Sequence, residues 1–413
     1  MKKILLFALA GLFVFCFSVQ ESWAVSQWSR KYGVSCNTCH TAFPRLNYFG
    51  DQFAQNGFQM PGTEDGDEVA KHIIGDRLNL NELTDVFGIR IAVSPVEVKT
   101  NSRTEGSSKE TLFDIGNPNW LQLFTAGTIF KNASIFIETE ILEDEIEFNW
   151  FELGYHNIAG SSLLNVKAGK ISMMEFHALT GRLRGIPNIN HQVLSGVKSS
   201  NGAGDDSISV AQPVPAVEWY GWSGPFVGAL GVSNGAKLRD TNDEKNFFGT
   251  LKYFVAQEGD FAGSSVSLWG LIGADTKDLL DELTDAYTGE AQNDFWRGSG
   301  AFNIRYLEKW DLQFAYLFGH DDDFNLTKIG DQETDFQGIA TILGYMPTPQ
   351  WYLALQFDWV DSDDVTSLQY TKLSPSIWYF PRDNMRIGLT GRFDLESESN
   401  KKHEALVHVR SMF

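Results

Sequence analysis

The sequence predicts a mainly β protein: an antiparallel transmembrane β-barrel of about 16 strands with a small helical segment before it. From Thr84 onward, short segments alternate apolar and polar residues with the period of a strand, as in residues 87–93 and 312–318. Each segment is near the roughly ten residues that a tilted strand needs to cross a bilayer. Residues 84–413 are therefore predicted to form the barrel.

The connections support this count. Short turns are expected after every second strand, at residues 131–132, 157–162, 223–225, 257–263, 307–310, 346–349 and 380–384. Longer loops are expected at residues 100–118, 172–206, 274–293 and 320–333. An even strand number returns both ends of the barrel to the short-turn, periplasmic side. A soluble sandwich or propeller would also contain short strands, but turn lengths would not alternate in this way.

Aromatic residues mark the predicted membrane interface. They crowd the short turns, where an interfacial girdle would lie: Tyr155, Trp222, Tyr306, Trp310, Trp351, Tyr352, Trp378 and Tyr379. The last segment ends in Phe413, which resembles the signal that the barrel assembly machinery reads in outer-membrane proteins. The sequence thus predicts a bacterial outer-membrane protein surrounded by lipid.

Residues 1–24 have the features of a signal peptide. Two lysines precede an apolar run from residue 4 to about residue 17, and Ser22 and Ala24 place small side chains where a signal peptidase reads. The run is too short to span a bilayer as a helix. Cleavage after Ala24 is expected, and it would remove Cys16.

Residues 36–40 read C-x-x-C-H, the attachment site of a c-type haem. Thiols of Cys36 and Cys39 lie one helical turn apart, so each can form a thioether to one haem vinyl, with His40 as the proximal iron ligand. A zinc knuckle normally needs four Cys or His ligands. A thioredoxin-type pair needs a βαβ context, which is lacking here. One covalently attached haem c is the predicted cofactor.

The motif belongs to a predicted monohaem cytochrome segment, residues 25–83. A segment of this size buries too little surface to be comfortably stable alone, so haem or the barrel must support it. Apolar residues with partly helical spacing could wall a haem pocket or form an ordinary small core: Phe43, Leu46, Phe49, Phe53 and Phe58.

Two residues are candidates for the sixth iron ligand. Met60 would give a Met/His iron with a raised potential, and His72 would give a bis-His iron. Met60 is preferred, although a methionine directly before Pro61 is also typical of a packing residue at the end of a segment.

The chain is acidic, with a formal net charge of −20. Binding of nucleic-acid phosphates requires a basic surface, so a nucleic-acid partner is excluded. Acidic residues concentrate in the longer connections, at residues 205–206, 275–285, 321–323 and 361–364. They could attract dissolved cations such as Fe²⁺ to the outer mouth, or simply keep the loops solvated.

The connection 172–206 could fold into the lumen as a constriction loop. It carries several potential ligands and cations: Met173, Met174, His177, Arg182, Arg184 and His191. In that position His177 or Met174 could reach the haem. Their ordinary interpretation is surface or packing residues.

Residues 28–62, WSRKYGVSCNTCHTAFPRLNYFGDQFAQNGFQMPG, together with the signal peptide and the barrel, resemble the fused cytochrome-porin family of outer-membrane iron oxidases. The shared features are the C-x-x-C-H, then Pro44, Leu46 and Gly50, and an aromatic residue after Gly57. Where the family has a basic residue after Gly50, this chain has Asp51.

The resemblance implies oxidation of extracellular Fe(II) at the haem, with the electron passed to a periplasmic cytochrome c. The haem segment would lie on the periplasmic side of the outer membrane or inside the lumen. Such an electron-transfer protein is oxidoreductase-like and needs no catalytic acid, base or nucleophile. Three alternatives stay open: an outward electron conduit to extracellular metal, a solute porin with a tethered cytochrome, and a barrel whose C-x-x-C-H is accidental.

Overall fold

The computed structural model describes residues 27–42, 45–61, 72–74, 78–80, 83–103, 110–141, 146–178, 193, 197–201, 209–210, 212–235, 244–280, 287–326, 332–362, 365, 368–396 and 400–413. The predicted signal peptide, residues 1–24, lies outside the described residues.

The N-terminal part of the described chain forms short elements. These are helix α1 (Gln27–Tyr32), a 3-10 turn (Cys36–Thr38), the paired strands β1 (His40–Ala42) and β2 (Arg45–Leu46), helix α2 (Tyr48–Gln55), the paired strands β3 (His72–Ile74) and β4 (Leu78–Leu80), and helix α3 (Leu83–Val86). We call residues 27–61 the plug. Among the described residues, no helix is long and apolar enough to cross a membrane.

Sixteen antiparallel strands then close into a barrel, in which β20 pairs with β5. The strands are β5 (Phe87–Arg103), β6 (Glu110–Phe130), β7 (Ala133–Ile141), β8 (Ile146–Tyr155), β9 (Asn165–Ser172), β10 (Pro213–Ser223), β11 (Phe226–Ser233), β12 (Asn246–Phe254), β13 (Ser265–Leu280), β14 (Tyr287–Tyr306), β15 (Trp310–Asp321), β16 (Thr334–Thr348), β17 (Trp351–Ser362), β18 (Tyr370–Arg382), β19 (Met385–Glu396) and β20 (Asn400–Met412). The predicted sixteen-stranded barrel is confirmed.

Alternate residues of each strand face opposite sides of the wall. In β13, Leu268 is 63% exposed, whereas its neighbours Ser267 and Trp269 are 3% and 5% exposed. Outward positions are apolar along many strands, as lipid contact requires. Inward positions include buried polar side chains such as Asn293 and Gln313. Their burial means that the lumen is occupied by protein.

Turns fall where they were predicted, but two of the longer loops are shorter than expected. Strands β5 and β6 pair as far as Asn101 with Glu110, and β13 and β14 as far as Leu280 with Tyr287. These ladders run through most of residues 100–118 and 274–293. Backbone pairing can continue without an apolar outer face, because the strands satisfy each other's N–H and C=O groups. The alternation of apolar and polar residues in the sequence therefore ends before the paired strands do.

Exposed aromatic pairs lie near the short turns, as the girdle prediction expects. Trp310 stacks on Tyr345 with ring centroids 4.1 Å apart, and Trp351 lies 4.8 Å from Tyr379. Three predicted members face the lumen instead. Tyr352 and Trp378 are buried, with 2% and 0% exposure, and Trp222 stacks on the buried Tyr220. Tyr352 and Trp378 each directly neighbour an outward aromatic residue, so the two-residue period of the strand turns them inward.

The described parts of the connection between β9 and β10 pack inside the lumen, as the constriction-loop prediction expects. Met173 and Met174 are buried in a cluster with inward residues of the wall, including Leu271 and Phe295. Trp269 of β13 donates a hydrogen bond of 2.7 Å from its indole nitrogen to the carbonyl oxygen of Met173.

The plug occupies the lumen at the end where the short turns lie. Arg45 forms a buried ion pair with Asp311 of β15 at 2.6 Å, and Asp51 pairs with Arg305 of β14 at 3.0 Å. Arg305 also donates a 2.8 Å hydrogen bond to the carbonyl oxygen of Leu46. Tyr220 of β10 donates to the carbonyl oxygen of Gln55 at 3.0 Å. The plug is thus held on several sides of the wall.

The ion pair between Arg45 and Asp311 makes a prediction for plug docking. Arg45→Ala leaves the Asp311 carboxylate buried without its main countercharge, which typically costs about 3–5 kcal/mol. Hydrogen exchange of plug amides, followed by mass spectrometry in detergent, should speed up by roughly 150- to 5,000-fold. The double variant Arg45→Leu with Asp311→Leu removes both charges and should recover much of the protection. Unchanged exchange in Arg45→Ala would contradict this role of the ion pair.

Candidate haem site

The C-x-x-C-H residues form a tight turn at the start of the plug. Gly33 after helix α1 has a φ of +65°, a value that suits glycine, and it redirects the chain toward the motif. Cys36–Thr38 form a 3-10 turn, in which the Cys39 N–H donates to the Cys36 carbonyl at 3.2 Å. Both cysteines are free thiols. His40 follows as the first residue of β1 and pairs with Leu46 of β2.

Asn47 ties this turn to helix α2. Its side chain caps the helix by accepting a 2.9 Å hydrogen bond from the Gly50 N–H. Its amide nitrogen donates to the Thr38 carbonyl at 3.0 Å, and its own backbone N–H donates to the Cys39 carbonyl at 2.9 Å. One asparagine therefore fixes the motif relative to the helix. A capping asparagine was not among the sequence predictions.

Gly50 lets helix α2 approach the motif closely. A Cβ atom at this position would overlap the Cys39 carbonyl oxygen and lie 2.9 Å from Leu46 Cδ2. Because the Cys39 atom is backbone, it cannot move aside as a flexible side chain would. Close packing of helix α2 against Cys39 thus explains why glycine is needed at position 50 of this chain.

A cleft with a volume of about 70 Å³ lies beside the motif. Its plug side includes Trp28, Cys36, Cys39 and His40. The opposite side is the barrel wall, where β18, the turn after it, β19 and β20 contribute Phe380, Asp383, Asn384, Met385, Arg386, Arg410 and Met412. The plug and the wall line this cleft together. It is smaller than the roughly 300–1,000 Å³ of a typical cofactor site, so a bound haem would displace some of the lining side chains.

Two arginines of the wall give the cavity a positive side. Arg386 and Arg410 are directly opposite each other on β19 and β20, and they are 2% and 6% exposed. Like charges at directly paired positions of a sheet repel each other, so an anionic group beside them would be stabilised. The two propionates of a haem are such groups. Sequence analysis did not single out either arginine.

The cysteines lack the features of a reactive redox pair. Burial raises the pKa of Cys39 to about 11 and also raises that of Cys36. The thiolate is the nucleophilic form, so a raised pKa disfavours thiol–disulfide chemistry. Two unpaired thiols at haem spacing, an adjacent histidine and a partly apolar cavity with an arginine pair fit a covalent haem.

Two of the aromatic residues predicted around the motif, Phe53 and Phe58, pack together on one side of the plug. Phe53 and Phe58 form a buried cluster with wall residues Phe124 and Phe136. Trp28, which lines the cavity, stacks on Phe58 with ring centroids 4.9 Å apart. Phe43 lies outside the described residues. The cluster supports one wall of the cavity through Trp28.

The two candidates for the sixth ligand, Met60 and His72, lie in different parts of the structure. Met60 packs against this aromatic cluster and is absent from the described lining of the cavity. His72 begins β3, and its side chain lies outside the described part of the structure. Met174 and His177 are buried in the lumen but do not appear among the described cavity residues either. Arg182, Arg184 and His191 lie outside the described residues.

Asp51, the departure from the family pattern, faces the wall. Burial opposes its ionisation, but the positive charges of Lys252, Arg305 and Arg45 outweigh burial and hold the pKa of Asp51 below its usual value. Asp51 therefore stays charged and serves to anchor the plug.

Some of the acidic residues predicted at the outer mouth form ion pairs and hydrogen bonds inside the protein. Asp321 is buried and forms a 2.8 Å ion pair with Arg297 of β14. It also accepts a hydrogen bond of 3.2 Å from the N–H of Asn201 in the lumen connection. In contrast, the carboxylate side chain of Asp322 is 60% exposed. Residues 205–206, 281–285 and 363–364 lie outside the described residues.

The close packing at Gly50 gives a prediction for the motif. Gly50→Ala pushes the Cys39 carbonyl away from helix α2, and overpacking of this kind typically costs about 1–3 kcal/mol. Maleimide labelling of Cys36 and Cys39 in protein purified without haem should become roughly 5- to 150-fold faster. The matched control is Gly228→Ala on β11, where an added Cβ meets nothing within 4 Å. Equal labelling rates in the two variants would refute the packing role of Gly50.

Solved structures with a similar fold are porins and outer-membrane channels. An anion-selective porin from Comamonas acidovorans has a TM-score of 0.54 at 10% identity, covering 79% of this chain and 99% of that porin. OprB of Pseudomonas putida has a TM-score of 0.52 at 10% identity, covering 79% and 94%. The outer-membrane channel DcaP of Acinetobacter baumannii has a TM-score of 0.50 at 11% identity, covering 79% and 97%.

No protein-family model matches this sequence, and no curated protein matches it. At these low identities the likeness concerns the fold alone. The chain has the closed sixteen-stranded fold of outer-membrane porins.

Proposed function

We propose that this protein is an outer-membrane cytochrome that transfers electrons from extracellular Fe(II), through one covalent haem c, to a periplasmic cytochrome c. The observation that carries the proposal is the cavity beside the C-x-x-C-H turn. The motif alone is a sequence pattern. A cleft lined by Cys36, Cys39, His40 and a pair of arginines adds the chemical groups that would hold a haem.

Each side chain has a role in this proposal. Cys36 and Cys39 would hold the haem through thioethers, and His40 would be the proximal ligand. Arg386 and Arg410 would attract an anionic group of the haem such as a propionate and favour its binding. The haem, when bound, supplies a one-electron centre whose potential depends on its axial ligands and its surroundings. No group in the plug has to donate or remove a proton during electron transfer.

The proposed location is the bacterial outer membrane. Support comes from the porin fold and from the outward apolar residues of the strands. The backbone of Phe413 pairs with Ile89 of β5, so the terminal aromatic residue lies at the barrel seam. That position suits the predicted dependence on the barrel assembly machinery. The barrel is surrounded by outer-membrane lipid in this proposal.

The cavity lies at the periplasmic end of the barrel in this orientation. Asp383 and Asn384 of the short turn between β18 and β19 contribute to its wall, and short turns face the periplasm in outer-membrane barrels. A soluble periplasmic cytochrome c could therefore approach the haem closely. The acidic outer loops, including Asp322, would favour the approach of Fe²⁺ from outside.

A redox titration tests the proposal. Purified full-length protein in detergent should show a covalent haem, with a potential high enough for added Fe(II) to reduce the ferric form rapidly. Cys39→Ser should lose one thioether and most covalent haem stain, whereas Cys16→Ala, in the predicted signal peptide, should retain both haem and reduction. A low potential without reduction by Fe(II) would instead favour an outward conduit. Absence of any haem spectrum would make the C-x-x-C-H accidental.

A solute porin is the second candidate, and the fold likeness to the Comamonas porin and to OprB favours it. The described interior opposes an open channel, because the plug and the connection carrying Met173 and Met174 pack within the lumen. The purified protein should therefore show little steady conductance in a planar bilayer. Weakening the plug with Arg45→Ala and Arg305→Ala together should raise the conductance. A steady conductance like that of an open sixteen-stranded porin in the unaltered protein would favour the porin function.

A further inference from the structure

We propose that the sixth ligand of the haem iron is Met412, supplied by the barrel wall and not by the plug. This inference rests on the proposed function, since it assumes that the C-x-x-C-H carries haem. Sequence order favours a ligand close to the motif, such as Met60. The fold favours a ligand more than 370 residues away, because closure of the barrel brings the end of β20 to the cavity.

The cavity has its two walls on different parts of the chain. Cys36, Cys39 and His40 belong to the plug wall. If a haem lay between these walls with His40 on the plug side, its second axial ligand would come from the barrel wall. The described wall residues that line the cavity are one phenylalanine, one aspartate, one asparagine, two arginines and two methionines. Methionine thioethers are the established axial partners of histidine in c-type cytochromes.

Met412 and Met385 lie on opposite faces of the barrel wall. In β20, the buried residues Leu406, His408 and Arg410 share the inward face. Met412 continues that alternation, so its side chain belongs to the lumen side. In β19, Arg386 is buried and Leu389 is 52% exposed. Met385 has the parity of Leu389 and so belongs to the outward series.

Met412 is also held in place at the cavity. Its backbone N–H donates to the Asn384 carbonyl at 2.9 Å, and its carbonyl accepts from the Asn384 side chain at 3.0 Å. Its side chain packs against the aromatic cluster that contains Phe53 and Phe58. Its methyl carbon lies 3.5 Å from the position that a Cβ on Gly88 would take, so the glycine leaves room for it. Contacts within the protein thus position Met412 at the cavity.

Met60 lacks this position. It packs against the same aromatic cluster, but it is not among the described residues that line the cavity. Its carbonyl accepts a 3.0 Å hydrogen bond from Asn56, which in turn accepts from Asn157 of a short turn at 3.0 Å. These contacts hold the end of the plug against the barrel wall. This part of the plug is well separated in sequence from the C-x-x-C-H turn. Met60 acts as a packing residue in this structure.

The test compares three leucine variants of the full-length protein, purified with haem. Leucine keeps the apolar volume of methionine and removes the sulfur, so the packing change is small. Met412→Leu should lose the weak far-red absorption and the near-infrared magnetic circular dichroism typical of a His/Met ferric haem, and its potential should fall. Met385→Leu, in the same cavity, and Met60→Leu, in the same aromatic cluster, should keep both signals.

Several results would overturn the assignment. They are a retained His/Met signature in Met412→Leu, its loss in Met385→Leu or Met60→Leu, or a haem without this signature in the unaltered protein. Each of these leaves covalent haem and reduction by Fe(II) intact, so only the ligand assignment fails. A protein without covalent haem would overturn the proposed function as well.

A second variant guards against misfolding. If Met412→Leu fails to form a heat-modifiable barrel on a gel, Met412→His restores a side chain that can bind iron. It should convert the spectrum from His/Met to bis-His and lower the potential. An unconverted spectrum in a folded Met412→His protein would overturn the proposal.

Discussion

A barrel of sixteen strands is too wide for its own inward side chains to fill, and this constraint shapes the rest of the molecule. Inward polar groups that lose water need partners. Arg305 finds Asp51 of the plug, and Asp311 finds Arg45. Such pairs add little net stability compared with apolar packing, but a missing partner is costly. They therefore specify where the plug docks, since each pair joins the plug to the wall.

The candidate site follows from the same constraint. The plug carries the two thiols and His40, while Arg386 and Arg410 belong to the wall. Neither half encloses a cavity by itself. A short segment that buries too little surface alone gains a rigid support in the barrel, and the barrel gains a filling for its lumen. The potential of a bound haem would then depend on both halves, because its surroundings come from both.

The sequence was enough to predict what is local or periodic. Strand alternation and turn lengths predicted about sixteen strands, and the cysteine spacing predicted one helical turn between Cys36 and Cys39, where the structure has a 3-10 turn. Near strand ends, the side of the wall that a residue faces is harder to predict. The sequence predicts Tyr352 in the aromatic girdle, whereas its side chain is buried inside the barrel. The wall half of the site could not be found at all, because Arg410 and Met412 look like ordinary strand residues. Only ring closure, which pairs β20 with β5 and lays both beside the plug, gives them a possible function.

The division of the site into two halves also sets an order of assembly under the proposed function. Cys36 and Cys39 face a cavity whose other side is the barrel wall, and both are partly buried once the plug has docked. Enzymes that form thioethers need access to both thiols, which the docked plug restricts. Attachment should therefore precede docking, while the plug is still accessible in the periplasm. In this order, every covalent bond to the haem would fall on the plug, whereas the wall would add the contacts that can form last: charge pairing by Arg386 and Arg410, and coordination by Met412.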